Sequence, residues 1–345
     1  MNLQRVEAAL KDLKAPAFRL EQLRQAVFRQ SRDSYEDISV WPESLRRSLS
    51  QAAPLLSANL AELRVSGDGR AHKALLRLSD GKLVETVLLR PSPTRWTTCI
   101  SSQVGCAIGC TFCATGLMGL SRNLTPEEIT DQVLFWRQYM KRESLPGNLD
   151  NVVYMGMGEP FACYEQTAAS LRVLMDQKQF AIGARHISVS TSGLAPQIER
   201  FAEDFPQVNL ALSLHAAEDG LRARLVPVNR AFPLGRLAQA LKVYLSKTNR
   251  KVFVEYVLLE GENDGPSHAE ALIGYFKGIG PCERLHVNLI VFNPTETPHR
   301  PSLESQARWF QQRLRKAGLP ATLRQNLGRD IRGACGQLLV SRNQA

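Results

Sequence analysis

Three cysteines crowd into Cys106-Ala107-Ile108-Gly109-Cys110-Thr111-Phe112-Cys113, a C-x3-C-x2-C run. Thiolates this close are soft ligands, suited to zinc or to an iron–sulfur core. Gly105 and Gly109 let the backbone fold tightly round a large inorganic group. A structural zinc site closes with four ligands, so zinc would need a distant fourth. A [4Fe–4S] cubane held by three cysteines leaves one iron open. That iron can chelate the amino and carboxylate groups of S-adenosylmethionine and deliver the electron that breaks its sulfonium bond. The other cysteines are Cys99, Cys163, Cys282 and Cys335, giving an odd total of 7. An odd count argues against a disulfide framework and for metal or thiol chemistry.

These residues need a scaffold, and the strand and helix signals supply one. Strands are expected at Thr97–Ser101, Asn151–Met157, His186–Ser190, Val208–His215, Lys251–Leu259 and Leu285–Phe292, with helices at Tyr164–Gln177, Leu234–Leu245, Ser267–Phe276 and Leu303–Ala317. Another helix opens at Thr125-Pro126-Glu127-Glu128, a capping box with proline in the first turn. Its buried face is marked by Ile129, Val133, Trp136 and Met140. The pattern predicts an α/β fold, a partial parallel (β/α)6 barrel whose active groups sit at the C-terminal strand ends. Upstream, Leu63-Arg64-Val65, Ala74–Leu78 and Val84–Leu89 read as strands separated by Asp68-Gly69 and Asp80-Gly81, both hairpin-turn pairs. Before them, Phe18–Phe28 places Leu20, Leu23 and Val27 on one helical face, and Pro42–Leu49 is again helical. The expected domains are a helical unit over 1–60, an antiparallel β extension over 61–94 and the barrel with a C-terminal catalytic loop over 95–345.

Of the 345 residues, 44% are hydrophobic and 22% charged, the composition of a globular chain with a substantial core. Lys plus Arg number 43 against 33 Asp plus Glu, a net charge of +10. Such an excess favours polyanionic partners, RNA and DNA first. Basic groups stand at Arg19, Arg24 and Arg29, at Arg46-Arg47, at Arg137, Lys141 and Arg142, and at Arg308, Arg313, Arg315 and Lys316. No stretch approaches a membrane span, and Met1–Glu7 lacks the apolar run of a signal peptide. The expectation is a cytoplasmic protein without membrane contact.

The cysteine run does not stand alone. Ser101-Ser102-Gln103-Val104-Gly105-Cys106, Cys113-Ala114-Thr115-Gly116, Arg122-Asn123-Leu124-Thr125, Tyr154–Pro160, Ser190-Thr191-Ser192-Gly193, Ser213-Leu214-His215 and Asp330–Leu338 accompany it. With these motifs the chain resembles the RlmN/Cfr family of radical S-adenosylmethionine (radical SAM) RNA adenine methyltransferases over nearly its whole length, most loosely in the first 60 residues. The resemblance implies a radical SAM barrel, a [4Fe–4S] cluster on Cys106, Cys110 and Cys113, and S-adenosylmethionine contacts from Gly158, Glu159, Ser190, Ser213, Leu214, His215 and Asn293. It implies that Cys335 is methylated and carries the methyl group. A radical made from a second S-adenosylmethionine activates that group, which then joins an unactivated adenine carbon. Cys99 matches the thiol that releases the product by attack at sulfur, ordinary disulfide exchange. Glu85 matches the acceptor of the ring proton. The spacing between Glu85 and Cys99 is altered by Pro91-Ser92-Pro93.

The partners so implied are 23S ribosomal RNA, with tRNA as a further substrate, and an electron donor such as flavodoxin or ferredoxin; the chain is expected to be a monomer. The target base must leave its stack to reach a barrel interior, and the helical N-terminal unit is the RNA-docking candidate. Val104 and Pro160 look more like the carbon 2 branch of the family, Phe205–Leu210 more like the carbon 8 branch. Cys163 and Cys282 match no motif and read as packing residues. Two other classes remain open: a radical SAM enzyme acting on protein or a small molecule, and a zinc-dependent RNA-binding protein.

Overall fold

The computed structural model describes residues 1–338. The chain opens with α1 (Leu3–Asp12), α2 (Phe18–Arg24) and α3 (Glu43–Ala52); α2 runs on into a single π-helical turn, Gln25–Arg29. Leu23, Val27 and Leu49 are fully buried here, as the helical period requires.

β1 (Ala58–Val65), β2 (Ala71–Leu78) and β3 (Leu83–Ser92) follow as an antiparallel meander. Its turns use Gly69 and Gly81 at φ of 65° and 83°, the left-handed backbone that Asp-Gly pairs supply. β3 then pairs antiparallel with β4 (Arg95–Cys99). The register shifts between Leu89 and Ser92, a bulge in the Pro91-Ser92-Pro93 stretch. The altered spacing is absorbed there, and Val87 stands opposite Cys99.

Beyond β4 a small ribbon forms from β5 (Gln103–Cys106) and β6 (Gly119–Asn123), with α4 (Ala114–Met118) between them. Then come α5 (Pro126–Arg142), β7 (Asn148–Tyr154), α6 (Tyr164–Met175), β8 (Ile187–Thr191), α7 (Ala195–Asp204), β9 (Asn209–Ser213), α8 (Asp219–Leu225), α9 (Leu234–Lys247), β10 (Val252–Leu258), α10 (Pro266–Lys277), β11 (Leu285–Val291), α11 (Glu304–Lys316) and β12 (Ala321–Leu323). The Thr125 capping box closes at both hydrogen bonds, Glu128 N–H to Thr125 Oγ1 (3.2 Å) and Thr125 N–H to Glu128 Oε2 (2.9 Å).

The large sheet runs β1-β2-β3-β4-β7-β8-β9-β10-β11-β12, parallel from β4 onward. All six strands expected for the barrel are present, and β12 adds a short seventh that sequence reading missed. The meander is continuous with the barrel sheet through the β3–β4 ladder. No described helix is long and apolar enough to cross a membrane.

Candidate active site

The cysteine loop hangs between β5 and β6, and two glycines make it possible. Gly105 has φ of 79°, and a Cβ there would lie 1.9 Å from the Gly119 carbonyl oxygen. A Cβ on Gly116 would lie 2.8 Å from the Cys110 carbonyl oxygen. Cys113 N–H donates to Cys110 O (3.1 Å) and Gly116 N–H to Cys113 O (3.0 Å), closing two tight turns. Cys106, Cys110 and Cys113 all line one cavity of about 150 Å³. Burial pushes each thiol up, Cys106 to about 12. Three such thiols surrender their protons only to a strongly electropositive partner, which is how soft metal centres bind. Among the described residues no group of three His, Cys, Asp or Glu is placed to hold a single metal ion.

The same cavity is lined by Gly158, Glu159, Ser190, Ser192, Ser213, His215 and Asn293. Glu159 is buried and accepts from Phe161 N–H (3.0 Å) and Ser192 N–H (2.7 Å), and burial raises its pKa. Ser190 and Ser213 hydroxyls meet at 3.2 Å. His215 takes φ of 61°, and its Nδ1 accepts from Val257 N–H (3.0 Å). The ring proton therefore sits on Nε2. Burial, then the charge of Arg222, lowers its pKa to about 3, so the ring is neutral. Asn293 Nδ2 donates to Cys335 O (3.2 Å), while its Oδ1 and the Ser192 Oγ are buried without a protein partner. Buried polar atoms left without protein partners are what a polar ligand satisfies. Thus the donor set fits a three-cysteine cluster with an amino-acid-bearing cosubstrate beside it. Leu214 is fully buried and does not itself line the cavity, though its neighbours Ser213 and His215 do. Gly156 and Gly158 both line the cavity, and Cβ atoms on them would lie 2.6 Å from Ser101 Oγ and Gln103 Cβ on their other side. They are small so that the end of β7 can pack on the Ser101–Gln103 segment.

A second cavity, of about 440 Å³, adjoins the first. Cys99, Thr97, Leu89, Val153, Leu323, Arg324 and Leu327 line it, and Cys335, Met155, Ile290 and Leu338 line both. Cys335 is exposed, but its exposure is to this concave interior. Crowding by protein lifts its thiol to about 11 and that of buried Cys99 to about 12, while Arg324 works against both shifts. Glu85 lies on the face of β3 that carries Val87, the partner of Cys99, but it lines neither cavity. Its carboxylate is buried in an ion pair with Lys73 Nζ (2.8 Å).

The Radical SAM superfamily model matches residues 100–272. A ribosomal RNA large subunit methyltransferase Cfr of Clostridium botulinum is 40% identical over 97% of this chain and 96% of its own length. A probable dual-specificity RNA methyltransferase RlmN of Chloroflexus aurantiacus is 41% identical over 98% and 91%. The crystal structure of a radical SAM methyltransferase from Sphaerobacter thermophilus superposes with a TM-score of 0.91, at 42% identity, covering 98% of this chain and 97% of that one. The chain belongs to the RlmN/Cfr family of radical SAM enzymes.

Membership gives this RlmN/Cfr protein its cofactors, a [4Fe–4S] cluster and S-adenosylmethionine. It does not draw attention to several residues that the fold brings to the site. Lys73, read as part of a strand, is buried against Glu85 and donates to Arg332 O (3.3 Å). Arg324 pairs with buried Glu255 (3.1 Å), which also accepts from Asn288 Nδ2 (2.8 Å). The pair bridges the two cavities, since Arg324 lines one and Glu255 the other. A charged residue inside an apolar strand, as Glu255 is in Val254-Glu255-Tyr256, was the available signal. Cys163 is buried, its thiol near the carbonyls of Ser102, Glu159 and Pro160, and Cys282 is half-buried.

Proposed function

We propose that this protein methylates a carbon of an adenine, carbon 2 or carbon 8, in 23S ribosomal RNA and in tRNA, with Cys335 as the methyl carrier. The observation that carries the reading is the position of Cys335 in the wall shared by two cavities. One cavity holds the three cluster cysteines and the other holds Cys99. A carrier must face the source of its methyl group and the acceptor in turn, and a shared wall allows both. When bound, the cluster and S-adenosylmethionine supply the methyl group and a one-electron route to a carbon radical.

The protein's own residues do the rest. Glu159, Ser190, Ser213, the His215 Nε2–H and the free Asn293 Oδ1 orient the cosubstrate. The larger cavity, walled by Leu89, Val153, Leu323 and Leu327, receives the flipped base, whose flat apolar faces suit it. Release follows when the Cys99 thiolate attacks the Cys335 sulfur. A sulfur–sulfur bond forms and the sulfur–carbon bond breaks, its electron pair going to the freed carbon, which takes a proton to become the methyl group; the ring proton leaves towards Glu85, behind the cavity wall, and the ring regains its aromaticity. Arg324, beside both sulfurs, favours the thiolate. An external two-electron reductant must then restore the two thiols; flavodoxin or ferredoxin fits the single electrons that the cluster needs.

For RNA docking, the junction of the N-terminal helices with α5 is the favoured surface. Arg29, Arg137 and Lys141 line a concavity there with no acidic residue in its lining. Several of the other basic residues are offset: Arg46 by Glu36, Arg47 by Glu43, Arg308 by Glu304 and Arg313 by Glu270. Only uncompensated cations release counterions from a phosphate backbone. We take the chain to act as a monomer in the cytoplasm.

The test is mass spectrometry of nucleosides from 23S rRNA and tRNA incubated with the anaerobically reconstituted protein, S-adenosylmethionine and a reductant. Methyladenosine is expected, and its fragmentation assigns the carbon. No methyladenosine from either RNA would overturn the reading.

A further inference from the structure

A single charge behind the site takes part in none of these steps. Arg222, on α8, has no solvent exposure (0%). Its guanidinium donates from Nε to Leu214 O (3.1 Å), from Nη2 to Ser192 O (2.6 Å) and Ser213 O (3.4 Å), and from Nη1 to Asn229 Oδ1 (2.8 Å). Every acceptor is neutral. Among the described residues Arg222 forms no ion pair within 4.0 Å. The nearest acid in its network, Asp219, is one side chain removed: Asn229 Nδ2 donates to Asp219 Oδ1 (2.8 Å). Burial pulls the guanidinium pKa only to about 10, so the charge persists at neutral pH.

A buried cation without a counter-ion is costly and calls for an anion to balance it. The neighbours of α8 show where that anion would be. Thr111 N–H, next to Cys110, donates to Leu225 O (3.1 Å). Leu221, Leu225 and Val226 pack with Phe112 in one apolar cluster, and Cys110 and Cys113 pack against it. Little water therefore separates Arg222 from the cysteine loop, and its field reaches both Cys110 and His215.

We propose that Arg222 is an electrostatic positioning residue for the iron–sulfur centre, its unbalanced positive charge beside Cys110 raising the potential at which the cluster accepts an electron. The inference rests on the reading that Cys106, Cys110 and Cys113 hold the cluster. Reduction adds one electron and one negative charge, with no proton, so a fixed cation favours the reduced form. Across about 10 Å of protein, a unit charge shifts such an equilibrium about tenfold.

The test is a redox titration of the reconstituted full-length protein without S-adenosylmethionine, followed by electron paramagnetic resonance, with iron and sulfide assayed in every sample. Arg222→Met is expected to lower the reduced-to-oxidised ratio at fixed poise about tenfold, which for one electron is about 59 mV. Arg222→Lys, keeping the charge but losing the fork, is expected to stay near wild type. The double variant Asp219→Asn/Asn229→Asp moves the carboxylate directly onto Arg222 at constant net charge. It is expected to shift the potential as Arg222→Met does, and it decides the matter if the Met variant does not fold. A fully loaded Met or double variant with the wild-type potential overturns the inference. So does an Arg222→Lys shift as large as that of Arg222→Met, which would assign the effect to hydrogen bonding. Wild-type protein that binds no iron and sulfide overturns the cluster reading itself, and this inference with it.

Discussion

The cysteine loop and the segment bearing Cys335 serve one site but are held in opposite ways. The loop's three thiols lie within eight consecutive residues, and local turns, a two-stranded ribbon and tight glycines shape it. The Cys335 segment has no regular structure and is pinned from several distant places. Gly67 N–H donates to Asp330 Oδ2 (2.9 Å), Lys73 to Arg332 O, Asn293 to Cys335 O, Gln337 Nε2 to Pro294 O (3.0 Å) and Thr115 Oγ1 to Leu338 O (2.7 Å). On the proposed reading, many weak ties suit a carrier that faces two cavities, whereas tight turns hold the three thiols in a rigid cradle.

The sharpest way to separate the two regions is to remove one sulfur from each. Cys110→Ala is expected to abolish both iron loading and methylation. Cys335→Ala is expected to keep its full complement of iron and sulfide and its visible absorption while producing no methyladenosine. Equal iron loss in both would erase the distinction.

Next in size is Lys73→Met, which removes the cation paired with the buried Glu85 carboxylate and cuts a tie to Arg332. Breaking one partner of a buried pair costs about 3–5 kcal/mol, to be read from urea unfolding. Adding Glu85→Gln is expected to recover most of that loss; a double variant as unstable as the single would show that the pairing is unimportant.

Gly105→Ala attacks the cradle. A Cβ 1.9 Å from a carbonyl oxygen, on a backbone that disfavours side chains, is expected to cost about 2–4 kcal/mol. Iron content should fall with it, and wild-type unfolding curves would contradict the rigid-cradle view.

The smallest effect concerns the hairpin that grips Asp330. His72 is buried, with Nδ1 2.9 Å from Tyr139 OH and Nε2 3.3 Å from Gly69 O. Burial holds its pKa below the ordinary 6.5. The unfolded chain therefore takes the proton first, and the contribution of His72, complete above pH 6.5, declines as pH falls below it. The slope is at most about 1.4 kcal/mol per pH unit. Comparing stability at pH 7 and pH 5, His72→Gln is expected to flatten that decline.

What the sequence made legible follows the same division. The loop could be read because its ligands, turn glycines and the Thr125 cap are neighbours along the chain. The six barrel strands could be read because short β-prone runs, such as Val252–Leu258 and Leu285–Val291, alternate with helical stretches. β12 spans only Ala321–Leu323 and α8 only Asp219–Leu225, too short for any period to emerge. α7 carried a signal that went unused, Pro196 at its start with Ile198, Phe201 and Ala202 buried behind it. Arg222 and Arg224 look alike in Leu221-Arg222-Ala223-Arg224-Leu225, yet only Arg222 is buried, because its burial depends on carbonyls from β8 and β9 loops. Arg324 was hidden for the same reason, since its partner Glu255 lies far away in sequence, while Lys73 was hidden because a strand lysine is ordinarily exposed.

Helix α4 leaves the last cluster cysteine at once, and its first residues hold the tail, through Ala114 N–H to Gly336 O (2.9 Å) and the Thr115 hydroxyl to Leu338 O. On the reading proposed above, stripping the cluster from Cys113 is expected to loosen the grip on the Cys335 segment, which is tied to the very next residue. Loss of the cluster would then disturb the thiol chemistry as well, so the two halves of the site would fail together.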